Sequence, residues 1–322
     1  MSAAADLNSS GALCQSRRGY QDGPSFDAGH WLDAKHPASR VLHCIQGKKR
    51  RVLAFVEEIS PDDNVLAILY DEPVSDDESR ALQRGADGRR AFLYWPCSTW
   101  AEGRNFGRDI ALLGADAFDY VAFLDDDVVF TRGAYTPFID DVARHRALIA
   151  TPITYRADQS RYTLPTARQA AALNDEQLLV FHISVVKDAE IWPIDRTFEN
   201  ESWHIACLIQ QYFLTQRFPR QLIQFNDYCI SNEGHEWLEA DGASNYKYEQ
   251  NFSRVVRLAH ERVSERLGRP APKANESFRR MPTRNPLELL QIFAWKRVFR
   301  PIYMRYPLDR DGGSLELGAR RA

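Results

Sequence analysis

The sequence predicts an α/β protein built on a mostly parallel sheet with flanking helices. Three observations carry this. From Val41 to Leu124, short apolar runs alternate with amphipathic stretches in the order strand, helix, strand, helix, strand, helix, strand, a pattern that implies right-handed crossovers. The run Tyr120 to Leu124 is almost wholly apolar, as a central strand covered on both faces requires. It ends in consecutive carboxylates, Asp125, Asp126 and Asp127, at the edge where open α/β sheets bind ligands.

Composition sets the bounds. The chain has 322 residues, 44% hydrophobic and 26% charged, enough for one large domain or two modest ones with a full core. A net charge of −3 gives no basic field to attract nucleic acid, so none is expected as a partner. The cysteines at 14, 44, 97, 207 and 229 are odd in number and form no paired motif. Reduced thiols in a cytoplasmic protein are therefore expected, not a disulfide framework or a zinc site. No run approaches the length of a membrane span, and the N-terminus lacks an apolar signal core.

Residues 1–38 are rich in Ser, Ala, Gly and Asp without a sustained period and read as a mobile leader. Residues 39–267 read as the folded domain, with a first half over about 39–135 and a second over about 136–267. Val41 to Ile45 predicts a strand, and Lys48 to Ile59 a helix with Val52, Phe55, Val56 and Ile59 on one stripe. Val65 to Tyr70 predicts a strand closed by Asp71-Glu72-Pro73. Ser75 to Arg84 predicts a helix capped by Ser75 with Glu78 at its third position. Ala91 to Trp95 predicts the next strand. A helix from Gly103 then carries Arg104 and Arg108 one turn apart, and the strand that ends in the acids follows.

Like charges this close repel unless a cation sits among them. Carboxylate oxygens suit Mg²⁺ or Mn²⁺. The pattern Arg104-Asn105-x-Gly107, then Ala111, then Phe123-Leu124-Asp125-Asp126-Asp127, resembles the nucleotide-sugar glycosyltransferases of the GT-A fold, in the style of family 2. The resemblance covers about thirty residues well. It implies a Rossmann-like donor half, an acceptor-side α+β half, and transfer of a sugar from a nucleoside diphosphate, with UDP the default. It implies Asp127 as metal ligand, with Asp125 holding the metal through water or binding the ribose. Asp126 is expected to point away, because alternate strand residues face opposite sides. Arg104 and Arg108 are expected near phosphate oxygens, with Arg108 alternatively facing solvent or holding an acid. Asp71 either caps its turn or, as the resemblance implies, contacts the base or ribose.

Further along, Tyr135 to Arg144 predicts a helix, Leu148 to Thr154 a strand and Leu179 to Val186 a strand, while 156–178 carries no firm pattern. Glu199 to Leu214 predicts a helix with acids in its first turn. The resemblance implies a general base near such a helix start, for which Glu201 comes first, then Glu199, with Asp195 third. The family's Glu-Asp pair is absent here, since Asn200 and Ser202 flank Glu201. Equally, these are ordinary helix-start acids. Phe225 to Ser231 predicts a strand, and His235 just beyond it is the candidate to complete a metal shell. Tyr246 to Leu267 predicts a charged helix. Residues 268–322 read as a basic linker and amphipathic tail, in which 287–306 either packs on the domain or lies on an anionic membrane. The acceptor implied is a glycan or lipid-linked saccharide, as in bacterial polysaccharide biosynthesis.

Two other functions fit the acids. A HAD-type phosphatase would use Asp125 as nucleophile and Asp127 as acid/base, although its motif normally lies on the first strand. A catalytically silent GT-A module would bind a glycan or partner protein.

Overall fold

The computed structural model describes residues 40–83, 89–96, 98–114, 117–154, 167–170, 176–198, 202–218, 221–231 and 248–270. The expected leader, the tail with 287–306, and Glu199, Glu201 and His235 lie outside the described residues.

The chain runs β1 (Val41–Gly47), α1 (Lys49–Glu58), β2 (Asn64–Leu69), α2 (Asp76–Leu82), β3 (Arg90–Tyr94), α3 (Trp100–Leu113) and β4 (Tyr120–Asp125). There follow β5 (Val129–Arg132), α4 (Tyr135–Arg144), β6 (Ile149–Thr154), β7 (Arg168–Ala170), β8 (Leu178–His182), the single turn α5 (Ile183–Val186), α6 (Trp203–Arg217), β9 (Leu222–Ser231) and α7 (Tyr248–Leu267). The nine strands among the described residues join one sheet, ordered β3-β2-β1-β4-β8-β6-β9-β5, with β7 paired to β9. The first four strands are mutually parallel, and β8 enters antiparallel between β4 and β6.

Both faces of the sheet are covered, and strand alternation divides the core accordingly. Leu42, Cys44, Leu66, Ile68, Val121 and Phe123 face one helical layer. Val41, Ile45, Val65, Ala67, Leu69, Ala122 and Leu124 face the other. The expected capping box forms: the Ser75 hydroxyl accepts from the Glu78 amide, and the Glu78 carboxylate from the Ser75 amide.

Several boundaries move. The helix expected from Gly103 begins at Trp100, capped by Thr99, whose hydroxyl accepts from the Glu102 amide. The strand expected over Leu179 to Val186 stops at His182, whose Nδ1 accepts from the Ser184 amide and starts α5. The helix expected from Glu199 begins at Trp203 with Ser202 as its cap, so Glu199 and Glu201 precede it and its first turn carries no acid.

Chain order and sheet order together create a topological switch point. The connection after β1 leads outward through α1 to β2, whereas β4 lies on the opposite side of β1 and is reached through α3. A crevice opens at such a point, at the C-terminal ends of β1 and β4. Among the described residues, no helix is long and apolar enough to cross a membrane.

Candidate donor site at the end of β4

The acids sit at this switch point. Gln46 of β1 is the register partner of Asp125 on β4, so Gly47 and Lys48 lie beside Asp126. Strand alternation sends Asp125 toward α3 and Asp126 toward α1. Asp126 Oδ2 accepts from the Lys48 amide at 2.8 Å. Burial, chiefly, holds its carboxyl above the usual range, against the pull of that hydrogen bond. Asp71, at the end of β2, accepts from the Lys49 amide at 2.8 Å and from the Glu72 amide at 2.9 Å through one oxygen. It therefore caps its own turn and α1 together. The Lys48 and Lys49 amides at the start of α1, a position that commonly receives phosphate, are thus taken by two carboxylates of the chain itself.

Tyr70 shows how much negative charge gathers here. Its phenol is pushed well above its usual range, first by burial and then by Asp126, Asp125, Asp71 and Asp127. Asp127 is buried. Among the described residues, no three His, Cys, Asp or Glu side chains form a metal-holding group. A cage made wholly of protein is therefore not built from these residues. A cation held by one or two carboxylates, its shell completed by phosphate oxygens, fits their hard oxygen donors.

The Arg104-Asn105-x-Gly107 segment is fitted closely into the fold. Arg104 is buried and donates to Asp125 at 2.8 Å. Asn105 clamps the Ile194 backbone, accepting its amide at 2.6 Å and donating to its carbonyl at 3.0 Å. A methyl group on Gly107 would come within 2.8 Å of Cys44 Sγ and 3.1 Å of Phe123, so glycine lets α3 lie against β1 and β4. Ala111 is wholly buried. Arg108 pairs with Asp109 at 2.6 Å. Asp195 is bound by Arg262 of α7 at 2.7 Å and by Thr197; burial raises its carboxyl, yet these partners bring it below the usual range.

Two chain paths return to the acids. β9 makes a register shift where β6 passes from Phe225 to Cys229, and its last residue, Ser231, pairs with Val129, two residues after Asp127. Trp203, opening α6, has its ring centre 6.2 Å from that of Trp100. Trp100 in turn lies under Arg104. Sequence reasoning missed β5, Trp100 and Trp203. For Trp100, the Thr99-x-x-Glu102 capping box was the available signal.

No sequence model of a known family matches the chain, and no curated protein matches it in sequence. Among solved structures, S. aureus TarS residues 1–349 in complex with UDP-GlcNAc is similar at 11% identity and a TM-score of 0.44, over 84% of this chain and 76% of that one. GalNAc-T7 with UDP, GalNAc and Mn²⁺ is similar at 12% identity and a TM-score of 0.42, over 83% of this chain and 58% of that one. A197 from STIV is similar at 12% identity and a TM-score of 0.38, over 59% and 84%.

Proposed function

We propose that the chain is a metal-dependent GT-A-type glycosyltransferase that moves a sugar from a nucleoside diphosphate, UDP first, to a glycan or lipid-linked saccharide, with inversion. The observation that carries this reading is the gathering of Asp71, Asp125, Asp126 and Asp127 at the C-terminal ends of β2 and β4, at the switch point of a parallel sheet. A diphosphate brought here meets carboxylates, and the α1 amides already serve Asp71 and Asp126. Cationic charge must accompany it.

In this reading Asp127 and Asp125 would hold Mn²⁺ or Mg²⁺, with His235 as a further ligand beside the phosphate oxygens. Support for His235 is that Ser231, four positions earlier, pairs beside the acid turn. The cation supplies positive charge where the departing diphosphate gains negative charge. Asp71 meets the base or ribose, and Arg108 a phosphate oxygen. Glu201, with Glu199 behind it, takes the proton of the acceptor hydroxyl. Support for that placement is the neighbouring Trp203, packed against the Trp100–Arg104–Asp125 chain of contacts. Residues 287–306 would hold the enzyme against an anionic membrane surface where the acceptor is lipid-linked.

Calorimetric titration of UDP with and without Mn²⁺, on the wild type and Asp127→Ala, tests the reading. Metal-dependent binding lost in the variant is expected. Absence of UDP and GDP binding with metal present overturns it. The phosphatase alternative needs Asp125 as a free nucleophile, and Arg104 binds that carboxylate.

A further inference from the structure

We propose that Arg104 is a positioning residue, which holds the Asp125 carboxylate from beneath and acts on a bound nucleotide diphosphate and its cation only through Asp125. This rests on the donor-site reading above. It gives Arg104 a different role from the phosphate contact that its sequence pattern suggests.

Arg104 is only 4% exposed, and a buried cation is costly unless its partners are well placed. Nη2 donates to Asp125 Oδ1 at 2.8 Å and to the Glu176 carbonyl at 2.5 Å. The guanidinium carbon lies 4.4 Å from the Trp100 ring centre and 5.6 Å from that of Phe123. Trp100 opens the helix that carries the arginine, and Phe123 lies on the strand that carries the acid. Cation and acid are thus tied to each other's elements. The backbone is drawn in as well: the Asp125 amide donates to the Gln177 carbonyl at 2.9 Å, next to the carbonyl that receives Arg104.

The pair is asymmetric. The arginine side chain is 5% exposed and the Asp125 side chain 27%. A fixed donor beneath a half-open carboxylate is the arrangement by which outer-shell partners orient metal-binding acids. A phosphate contact through Nη2 would compete with both Asp125 and the Glu176 carbonyl.

A double-mutant cycle decides the matter. Wild type, Arg104→Gln, Asp125→Asn and the double variant are titrated with UDP in the presence of Mn²⁺, and the unfolding temperature of each ligand-free protein is recorded. Arg104→Gln is expected to weaken UDP roughly 10- to 100-fold. In the Asp125→Asn background the same change is expected to alter affinity by less than about 2-fold. Losses that multiply in the double variant overturn the proposal, because Arg104 then meets the ligand directly. A lower unfolding temperature with unchanged affinity also overturns it, leaving a purely structural role. Should Arg104→Gln fail to fold, Arg104→Lys carries the cycle. Its ammonium cannot reproduce the planar fork, so a smaller loss is expected, again absent with Asn at 125. A wild type that binds neither UDP nor GDP with Mn²⁺ overturns the donor-site reading and this proposal together, and the wild-type titration alone reveals it.

Discussion

The Asp126 carboxylate occupies the space that a side chain at Gly47 would need: a methyl group there would lie 2.1 Å from Asp126 Cβ and Cγ. Gly47→Ala must therefore displace either the end of β1 or the acid turn. A loss of about 1–3 kcal/mol is expected, as for other overpacked sites. UDP binding should weaken with it. Urea unfolding of the variant checks the first part, and an unchanged midpoint would refute it.

Asp126→Asn should behave differently. Burial raises the folded carboxyl above its unfolded value of 3.8. Between those two values the folded protein binds more protons than the unfolded chain, so this group's contribution to stability falls as pH rises through that window. The amide oxygen of asparagine still accepts from Lys48 without a buried charge. The variant should match or exceed wild-type stability at pH 7 and lose that part of the pH dependence. Urea midpoints taken across the acid range and at pH 7 provide the test.

His43 supplies the opposite slope. It is buried, its Nδ1 lies 2.5 Å from the Tyr135 hydroxyl, and burial lowers its pKa to about 4 against the weaker pull of Asp63. Nδ1 and the Tyr135 hydroxyl share a hydrogen bond, and Nε2 lies 3.7 Å from the Asp63 carboxylate. The unfolded chain takes up a proton near pH 6.5 and the folded protein only near 4, so stability is lost as pH falls through that window. The full loss is on the order of 3 kcal/mol. His43→Gln should flatten the dependence, which unfolding at pH 7.5 and pH 5 would reveal. An equal slope in both proteins would dismiss the assignment.

Asn105→Ala frees both Ile194 backbone groups that the side chain now serves. About 1–3 kcal/mol of stability should go with them. The clamped segment leads toward Glu199 and Glu201. Sugar transfer should therefore suffer more than UDP affinity. A variant with weakened UDP binding but normal turnover would contradict this.

Much of the first half of the sheet was legible because its residues satisfy local rules and tertiary demands at once. β1, β2 and β4 read as strands since apolar residues stand on both faces, and Ser75 with Glu78 announced α2. Ile183, Val185 and Val186 misled, because β-branched residues favour strands and here a cap at His182 turns them into a helix. β5 and β7 are short and pair with β9 from a distance in sequence, so little in their own residues marks them. At the site, Asp126 meets the Lys48 amide and Asp125 meets Arg104. The burial of Arg104 was not legible, since its aromatic cover comes partly from Phe123, on the separate strand β4.

The unbroken sheet has a mechanical consequence. β4, which carries the acids, and β8, its neighbour from the second half of the chain, are zipped together over five residue pairs from Tyr120–His182 to Leu124–Leu178. The two sides cannot part or close like jaws without tearing that ladder. Their separation is set when the chain folds. A substrate of the wrong reach cannot be met by parting β4 from β8 without breaking those pairs.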